Sequence, residues 1–228
     1  CQPGRRVNLG GFGVCRDPVL YRASPLRGWD LLQSRYPWPR HRPLLPVDDH
    51  GWLGAGNVRL LTEWLSNHAP RLILELGSWL GRSTRFFLQT CAEARVIAVD
   101  HWGLLPSGDY FGIEPERVLR LYPQFQANCW SEKDRLGLCR NDTINGLREI
   151  AGLGLSPDFI YLDADHSRSA VERDLQLLSE LFPQAVWAGD DWNWHDAEGP
   201  TIQPLVRQLA EQTQRTLRVD GEGWLLHP

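Results

Sequence analysis

The sequence predicts an α/β fold: a mostly parallel sheet with helices on both faces and an antiparallel hairpin at the C-terminus. Three observations carry this. From about Gly56 onward, short apolar runs alternate with amphipathic stretches of helical length. The runs are nearly continuous, as in Leu72-Ile73-Leu74 and Val96-Ile97-Ala98-Val99, which suits strands covered on both sides. The last two runs are joined by Asp220-Gly221, a tight-turn signal that fits a hairpin.

The first regular element is a helix over 58–67, with Leu60, Leu61, Trp64 and Leu65 on one face and a stop near Pro70. Strands follow at 71–76, 95–99, 135–139, 158–162 and 185–188. Helices are expected between them at 82–94, 114–130, 143–151 and 168–181. A further helix at 201–212 precedes the terminal strands 216–219 and 224–227. Residues 1–55 stand apart. They are rich in Pro, Arg and Gly, as in Tyr36-Pro37-Trp38-Pro39-Arg40-His41-Arg42-Pro43, and show no sustained period. They are expected to form an irregular N-terminal extension or cap that wraps the domain or covers a pocket, with 56–228 as the single α/β domain.

Composition narrows the function. With 228 residues, 42% of them hydrophobic, the chain suffices for one sizeable core and a small cap. A net charge of −4 gives no global basic field, so neither nucleic acid nor a membrane surface is expected as a partner. No run reaches transmembrane length, and residues 1–20 lack the apolar core of a secretory signal. The sequence opens on Cys1 rather than Met, which fits removal of a leader or of a few residues. Its cysteines (Cys1, Cys15, Cys91, Cys129, Cys139) are odd in number and lack C-x-x-C spacing. That argues against a disulfide framework or a thiolate zinc site and favours a reducing, cytoplasmic setting. Nothing in the composition fixes the oligomeric state, and a homo-oligomer is allowed. Eleven tryptophans exceed the needs of a small core. Trp38, Trp52, Trp102, Trp192 and Trp194 lie in or near loops, where they would either border a pocket or pack against the extension.

Open parallel sheets bind ligands at the carboxyl ends of their strands. The first such end reads Glu75-Leu76-Gly77-Ser78-Trp79-Leu80-Gly81-Arg82. Gly77 and Gly81 let backbone approach a ligand, and the following helix terminus offers free N–H donors. The G-x-x-x-G spacing differs from the G-x-G-x-x-G of dinucleotide sites. Glu75 suits a ligand bearing an ammonium and no phosphate. Asp100 ends the second strand, where an acid can accept both hydroxyls of a ribose, and His101 and Trp102 follow as flanks for an adenine ring. The polar turn Cys139-Arg140-Asn141-Asp142-Thr143 follows the third strand. Each acid taken singly also has a plainer reading: Glu75 as a solvated strand end, Asp100 as a helix cap, and Asp142 as the N-cap of the next helix.

The series Glu75-Leu76-Gly77-x-x-x-Gly81, Asp100 and Asp142 resembles the class I S-adenosylmethionine-dependent methyltransferases, and the match runs from about Gly56 to the C-terminus. The resemblance implies a Rossmann-like fold with strand order 3-2-1-4-5-7-6 and S-adenosyl-L-methionine as cofactor. It places Gly77, Ser78 and Gly81 along the methionine portion, Asp100 on the ribose and Asp142 near the adenine amino group.

The fourth strand delivers Asp163-Ala164-Asp165-His166, and the fifth delivers Gly189-Asp190-Asp191-Trp192. These strands are neighbours in the implied fold, so Asp163, Asp190 and Asp191 can converge. Three carboxylates at one point repel unless a hard cation sits among them. The layout is similar to the cation-dependent O-methyltransferases of catechols, caffeoyl esters and antibiotic sugars. It implies Asp163, Asp190 and Asp191 as ligands of a divalent cation, Mg²⁺ foremost, with Asp163 also beside the cofactor. Catechol-type members carry a lysine base where this chain has His166, and sugar-type members use the acid matching Asp165. Histidine titrates near neutrality and is the preferred base here, with Asp165 the alternative. The expected reaction is O-methylation of a small-molecule hydroxyl. Two rivals remain: a metal-dependent nucleotide-sugar glycosyltransferase using Asp163-x-Asp165, and a non-catalytic cofactor-binding module.

Overall fold

A computed structural model describes residues 25–103 and 118–228. Its main sheet holds seven strands: β1 Leu72–Leu76, β2 Arg95–Asp100, β3 Leu136–Arg140, β4 Phe159–Leu162, β5 Val186–Gly189, β6 Thr216–Asp220 and β7 Gly223–His227. Their spatial order is β3-β2-β1-β4-β5-β7-β6, the order implied by the resemblance. β1 to β5 run parallel, while β7 pairs antiparallel with both β5 and β6. Outside this sheet, His195–Asp196 and Gly199–Pro200 form a two-residue antiparallel ladder that the sequence did not announce.

The helices are α1 Pro25–Arg35, α2 Ala55–His68, α3 Arg82–Thr90, α4 Leu121–Asn128, α5 Thr143–Gly152, α6 Arg168–Leu181 and α7 Ile202–Thr213, with a 3₁₀ turn at Trp130–Arg135. They divide between the two faces of the sheet as the strand periodicity demands. Leu74, Leu76, Ile97 and Val99 face α1, α5, α6 and α7. Ile73, Val96, Ala98 and Tyr161 face α2, α3 and α4. Alternate residues of each central strand are thus buried on opposite sides, which explains why these strands read as continuous apolar runs.

Two helices depart from expectation for identifiable reasons. The helix expected over 114–130 is seen from Leu121, with residues 114–117 outside the described set. Starting at Leu121 puts Pro123 in the first turn, where its missing N–H breaks no intrahelical bond. The second departure is α1, an ordered helix inside the stretch expected to be irregular. Among its described side chains, Trp29 and Leu32 are the buried apolar residues, too few to register as a period. Tertiary contacts hold it in place. A Cβ on Gly137 of β3 would stand 3.0 Å from Leu32 and 3.2 Å from the Trp29 ring. That glycine makes the close approach of α1 to the sheet possible, and burying the two side chains contributes about 1.5–3 kcal/mol each. Arg35 and the Tyr36 hydroxyl then donate to Glu149 of α5 at 2.5 and 2.7 Å.

Between Arg40 and Gly54 the chain has no regular structure and lies as a strap across α3 and α4. Asn128 fastens it by accepting from the Asp48 N–H at 3.0 Å and donating to the Asp48 and Leu80 carbonyls. Arg82 donates to the Gly51 carbonyl, and Arg85 pairs with Asp49 at 2.7 Å. The strap with α3 borders an open groove of about 340 Å³ lined by Asp49, Leu53, Arg82, Arg85, Phe86 and Gln89. Among the described residues no helix is long and apolar enough to cross a membrane. Cys91, Cys129 and Cys139 are buried free thiols, while Cys1 and Cys15 lie outside the described residues.

Candidate active site

Gly77 stands where the first turn meets the end of β4. Its φ is +86°, and a Cβ there would lie 1.8 Å from the Asp163 carbonyl oxygen. The turn after β1 and the acids after β4 are therefore in direct backbone contact, an arrangement open to glycine alone. Trp79 and Gly81 also adopt positive φ, and Gly81 begins α3.

Asp100 ties this turn to the one after β2. Its Oδ2 accepts from the Trp79 N–H at 2.8 Å and its Oδ1 from the Trp102 N–H at 2.6 Å. Burial raises its pKa and these amide donors oppose the rise. His101 follows, part-buried, its Nδ1 accepting from the Gly103 N–H. Trp102 does not flank a ligand. It is 1% exposed, donates to the Trp79 carbonyl and packs on Tyr122 and Phe125.

Glu75 is fully buried rather than solvated. Its Oε2 accepts from the Thr84 hydroxyl, while Oε1 has no partner, and the buried Ser78 hydroxyl is likewise unpaired. Burial pushes the Glu75 carboxyl up, and the hydroxyls of Ser83 and Thr84 oppose the rise. Two orphaned polar atoms under a glycine turn fit a polar ligand such as the aminoacyl end of S-adenosylmethionine. Asp142 sits where its plainer reading put it, at the N-cap of α5, accepting from the Asn145 N–H at 2.8 Å and from its amide at 2.7 Å. Its neighbour Asn141 links the turn back to Asp100, whose carbonyl takes the Asn141 N–H at 3.1 Å.

At the ends of β4 and β5 the acids face one another. Asp163, His166 and Asp191 each offer a ligand atom, and the three atoms lie within 4.8 Å of one another. His166 Nδ1 is 3.2 Å from Asp191 Oδ2, and its ring lies against Trp194 with centroids 4.6 Å apart. Asp163 is pushed well above the usual carboxylate range, first by burial and then by Asp190 and Asp191. Burial also raises Asp191, with His166 opposing. Among the described residues, the ring of His166 pairs with this cluster through Asp191. The donor set of two carboxylates and an imidazole, carrying excess negative charge, fits a divalent cation.

This set is not the one expected from the sequence. Asp190 is buried, and its Oδ1 accepts from the Asp191 N–H at 2.7 Å instead of joining the three-residue group. Asp191 turns back through a positive φ of 57°. Asp165 is exposed, outside the group, with Oδ1 accepting from the Ser167 N–H at 2.8 Å. Asp163 and Asp165 therefore do not share the three-residue group. The sequence reading also missed His50, whose Nδ1 accepts from the Trp79 indole at 3.0 Å and brings the strap onto the first turn. Its signal was a histidine beside Trp52 in a Pro-rich stretch. Of the loop tryptophans, Trp38 packs on Trp130, and Trp192 is buried under Arg207. Trp52 and Trp194 keep 57% and 38% of their surface exposed.

The family model described as Methyltransferase domain matches residues 74–192, just over half the chain and the whole stretch from the first turn to the acid corner. No curated protein sequence matches the chain. Among solved structures, one from Staphylococcus aureus assigned as a caffeoyl-CoA O-methyltransferase is similar at TM-score 0.57 and 14% identity, over 78% of this chain and 86% of that one. An O-methyltransferase from Bacillus cereus, in complex with S-adenosylhomocysteine, is similar at TM-score 0.51 and 16% identity, over 92% and 94%. A cofactor-bound protein from Mycobacterium tuberculosis is similar at TM-score 0.53 and 15% identity, over 89% and 88%.

Proposed function

We propose a reaction from one premise: the chain belongs to the methyltransferase-domain family and is an S-adenosylmethionine-dependent enzyme. It methylates a hydroxyl of a small molecule, with a divalent cation holding that hydroxyl. The observation that carries this reading is the meeting of Asp163, His166 and Asp191 one backbone contact away from the glycine turn. The names of the Staphylococcus and Bacillus structures, both O-methyltransferases, support the choice of oxygen as acceptor atom.

Methyl transfer from a sulfonium is an in-line displacement, so the protein's task is to align the acceptor oxygen, exclude water and receive a proton. The first turn would hold the methionine portion with Gly77, Ser78 and Gly81, and Glu75 beneath would face its ammonium through the unpaired Oε1. Asp100 would receive the ribose hydroxyls on its remaining lone pairs, with His101 beside the base and the Asn141–Asp142 turn at the adenine edge. Asp163, together with groups at the ends of β4 and β5, would hold the cation. When bound, that ion lowers the acceptor hydroxyl's pKa and fixes its position. His166 or Asp165, both on the loop after β4, would take the proton. The Trp194 face beside His166 offers a wall for a flat acceptor.

Calorimetry with S-adenosylhomocysteine, repeated with EDTA and with Mg²⁺ or Mn²⁺ plus a catechol, tests the reading. Micromolar cofactor binding without metal, and catechol binding that needs the metal, is the expected result. Cofactor binding with no metal response removes the cation from the reaction, and no cofactor binding refutes the proposal.

A further inference from the structure

We infer that His166 is a metal ligand rather than the proton acceptor, and that the Asp163–His166–Asp191 set selects a first-row transition ion such as Mn²⁺, Fe²⁺, Co²⁺ or Zn²⁺ over Mg²⁺. This rests on the cation-assisted reading above and replaces the all-carboxylate donor set expected from the sequence.

The geometry carries the inference. A histidine acting as base needs one carboxylate to orient it, and Asp191 at 3.2 Å from Nδ1 would suffice. Asp163 then has no part, yet its carboxylate shares the same 4.8 Å sphere. A metal centre uses all three. The ring is fixed for that role from two sides. Its loop is pinned where Asp165 accepts from the Ser167 N–H at the start of α6, and its face is held by Trp194. Trp194 is itself anchored, donating its N–H to the Asp191 carbonyl at 2.8 Å and accepting from the Thr201 N–H at 3.1 Å.

On the opposite side, the Asp190 Oδ1 holds the Asp191 N–H, and the Trp224 indole holds the Asp190 carbonyl at 3.0 Å. Asp190 thereby acts as a positioning residue for Asp191.

The donor chemistry sets the metal class. Mg²⁺ demands oxygen ligands and keeps its waters, whereas imidazole nitrogen favours the later divalent ions. Two carboxylates and a neutral imidazole carry a charge of −2, which one divalent ion neutralises.

The test uses the full chain stripped with EDTA. Mn²⁺ is titrated in and followed by electron paramagnetic resonance, with electron spin-echo modulation reading any coupled ¹⁴N, and Mg²⁺ is the competitor. The expected result is one Mn²⁺ site with a directly bound nitrogen, displaced by Mg²⁺ only at a concentration about tenfold or more higher. H166Q should lose the nitrogen signal and weaken Mn²⁺ binding by about tenfold or more, while D165N keeps both. The nitrogen signal of the wild-type chain decides the matter even if H166Q fails to fold. Equal affinity for Mg²⁺ and Mn²⁺, or a bound Mn²⁺ without nitrogen coupling, overturns the inference. No divalent ion bound while S-adenosylhomocysteine still binds overturns it and the cation's part in the reaction, leaving the methyltransferase intact. Loss of S-adenosylhomocysteine binding instead counts against the proposed function itself.

Discussion

The turns after β1 and β2 and the corner after β4 and β5 both gather carboxylates, yet they treat them in opposite ways. In the first region each acid has neutral donors of its own: Asp100 takes two backbone N–H groups, and Glu75 takes the Thr84 hydroxyl. In the second region Asp190 and Asp191 raise the protonation energy of Asp163, Asp190 also raises that of Asp191, and the His166 ring nitrogen lies 3.2 Å from Asp191. A carboxylate whose donors are built into the fold serves the architecture and presents its leftover lone pairs to a ligand. Carboxylates set against each other gain from an added positive charge. The first region is preorganised by the protein, and the second is completed by what binds there.

Four substitutions break or sharpen this contrast, in falling order of effect. Gly77→Ala strikes the joint between the regions. With a Cβ driven into the Asp163 carbonyl and a positive φ to sustain, it should cost about 3–5 kcal/mol in urea unfolding and abolish cofactor binding. A cost below about 1 kcal/mol would show that the two turns do not depend on each other.

Asp100→Ala comes next. It strands two backbone amides and removes the acceptor for a ribose, so stability should fall by about 2 kcal/mol or more and S-adenosylhomocysteine affinity by about 1–3 kcal/mol, read by calorimetry. Unchanged affinity would remove Asp100 from the cofactor site.

Asp174 on α6 offers a comparison away from either region. It is 1% exposed, with Oδ1 accepting from Thr143 at 2.7 Å and Oδ2 unpaired, and burial raises its pKa to about 6. The folded state therefore keeps a proton that the unfolded chain gives up near pH 4. Stability from this group is intact below pH 4, declines as the pH rises to about 6, and stays lower above that. Asp174→Asn should flatten that decline and stabilise the protein at pH 7 by about 1–3 kcal/mol, the worth of a two-unit shift. An unaltered pH profile of unfolding would show that Asp174 is solvated.

Smallest is Asp163→Asn in EDTA. Removing one of the opposed charges should raise the stability of the metal-free protein by about 1 kcal/mol while eliminating metal binding. A destabilised variant would mean that Asp163, like Asp100, is held by the fold and not opposed to its neighbours.

Much of this was legible in the residues. The amphipathic stretch 168–181 is α6 to the residue, and all seven strands lie within one residue of their expected bounds at either end. The Asp142 cap was readable because an N-cap bond spans three residues. By contrast, α1 was not readable. Its helix is held by Gly137, Leu153, Leu155 and Glu149, all more than a hundred residues away.

By itself, then, the sequence determined which residues stand at strand ends: the glycine turn, Asp100, and the two acid-bearing loops. Strand periodicity and capping are local, so a short window specifies them. Only the tertiary structure decided which of those acids meet. Asp190 and Asp191 are adjacent in sequence and equivalent in composition, but a positive φ at Asp191 and the Asp191 N–H bond to Asp190 send their carboxylates to different partners. His166 enters the cluster because the parallel pairing of β4 with β5 brings the two loops together, Leu162 beside Gly189. The same pairing puts Trp192 in the core and leaves Trp194 at the mouth of the site. Side-chain direction at a strand end depends on the register and turn geometry of two distant segments at once, and no single stretch of sequence contains that information.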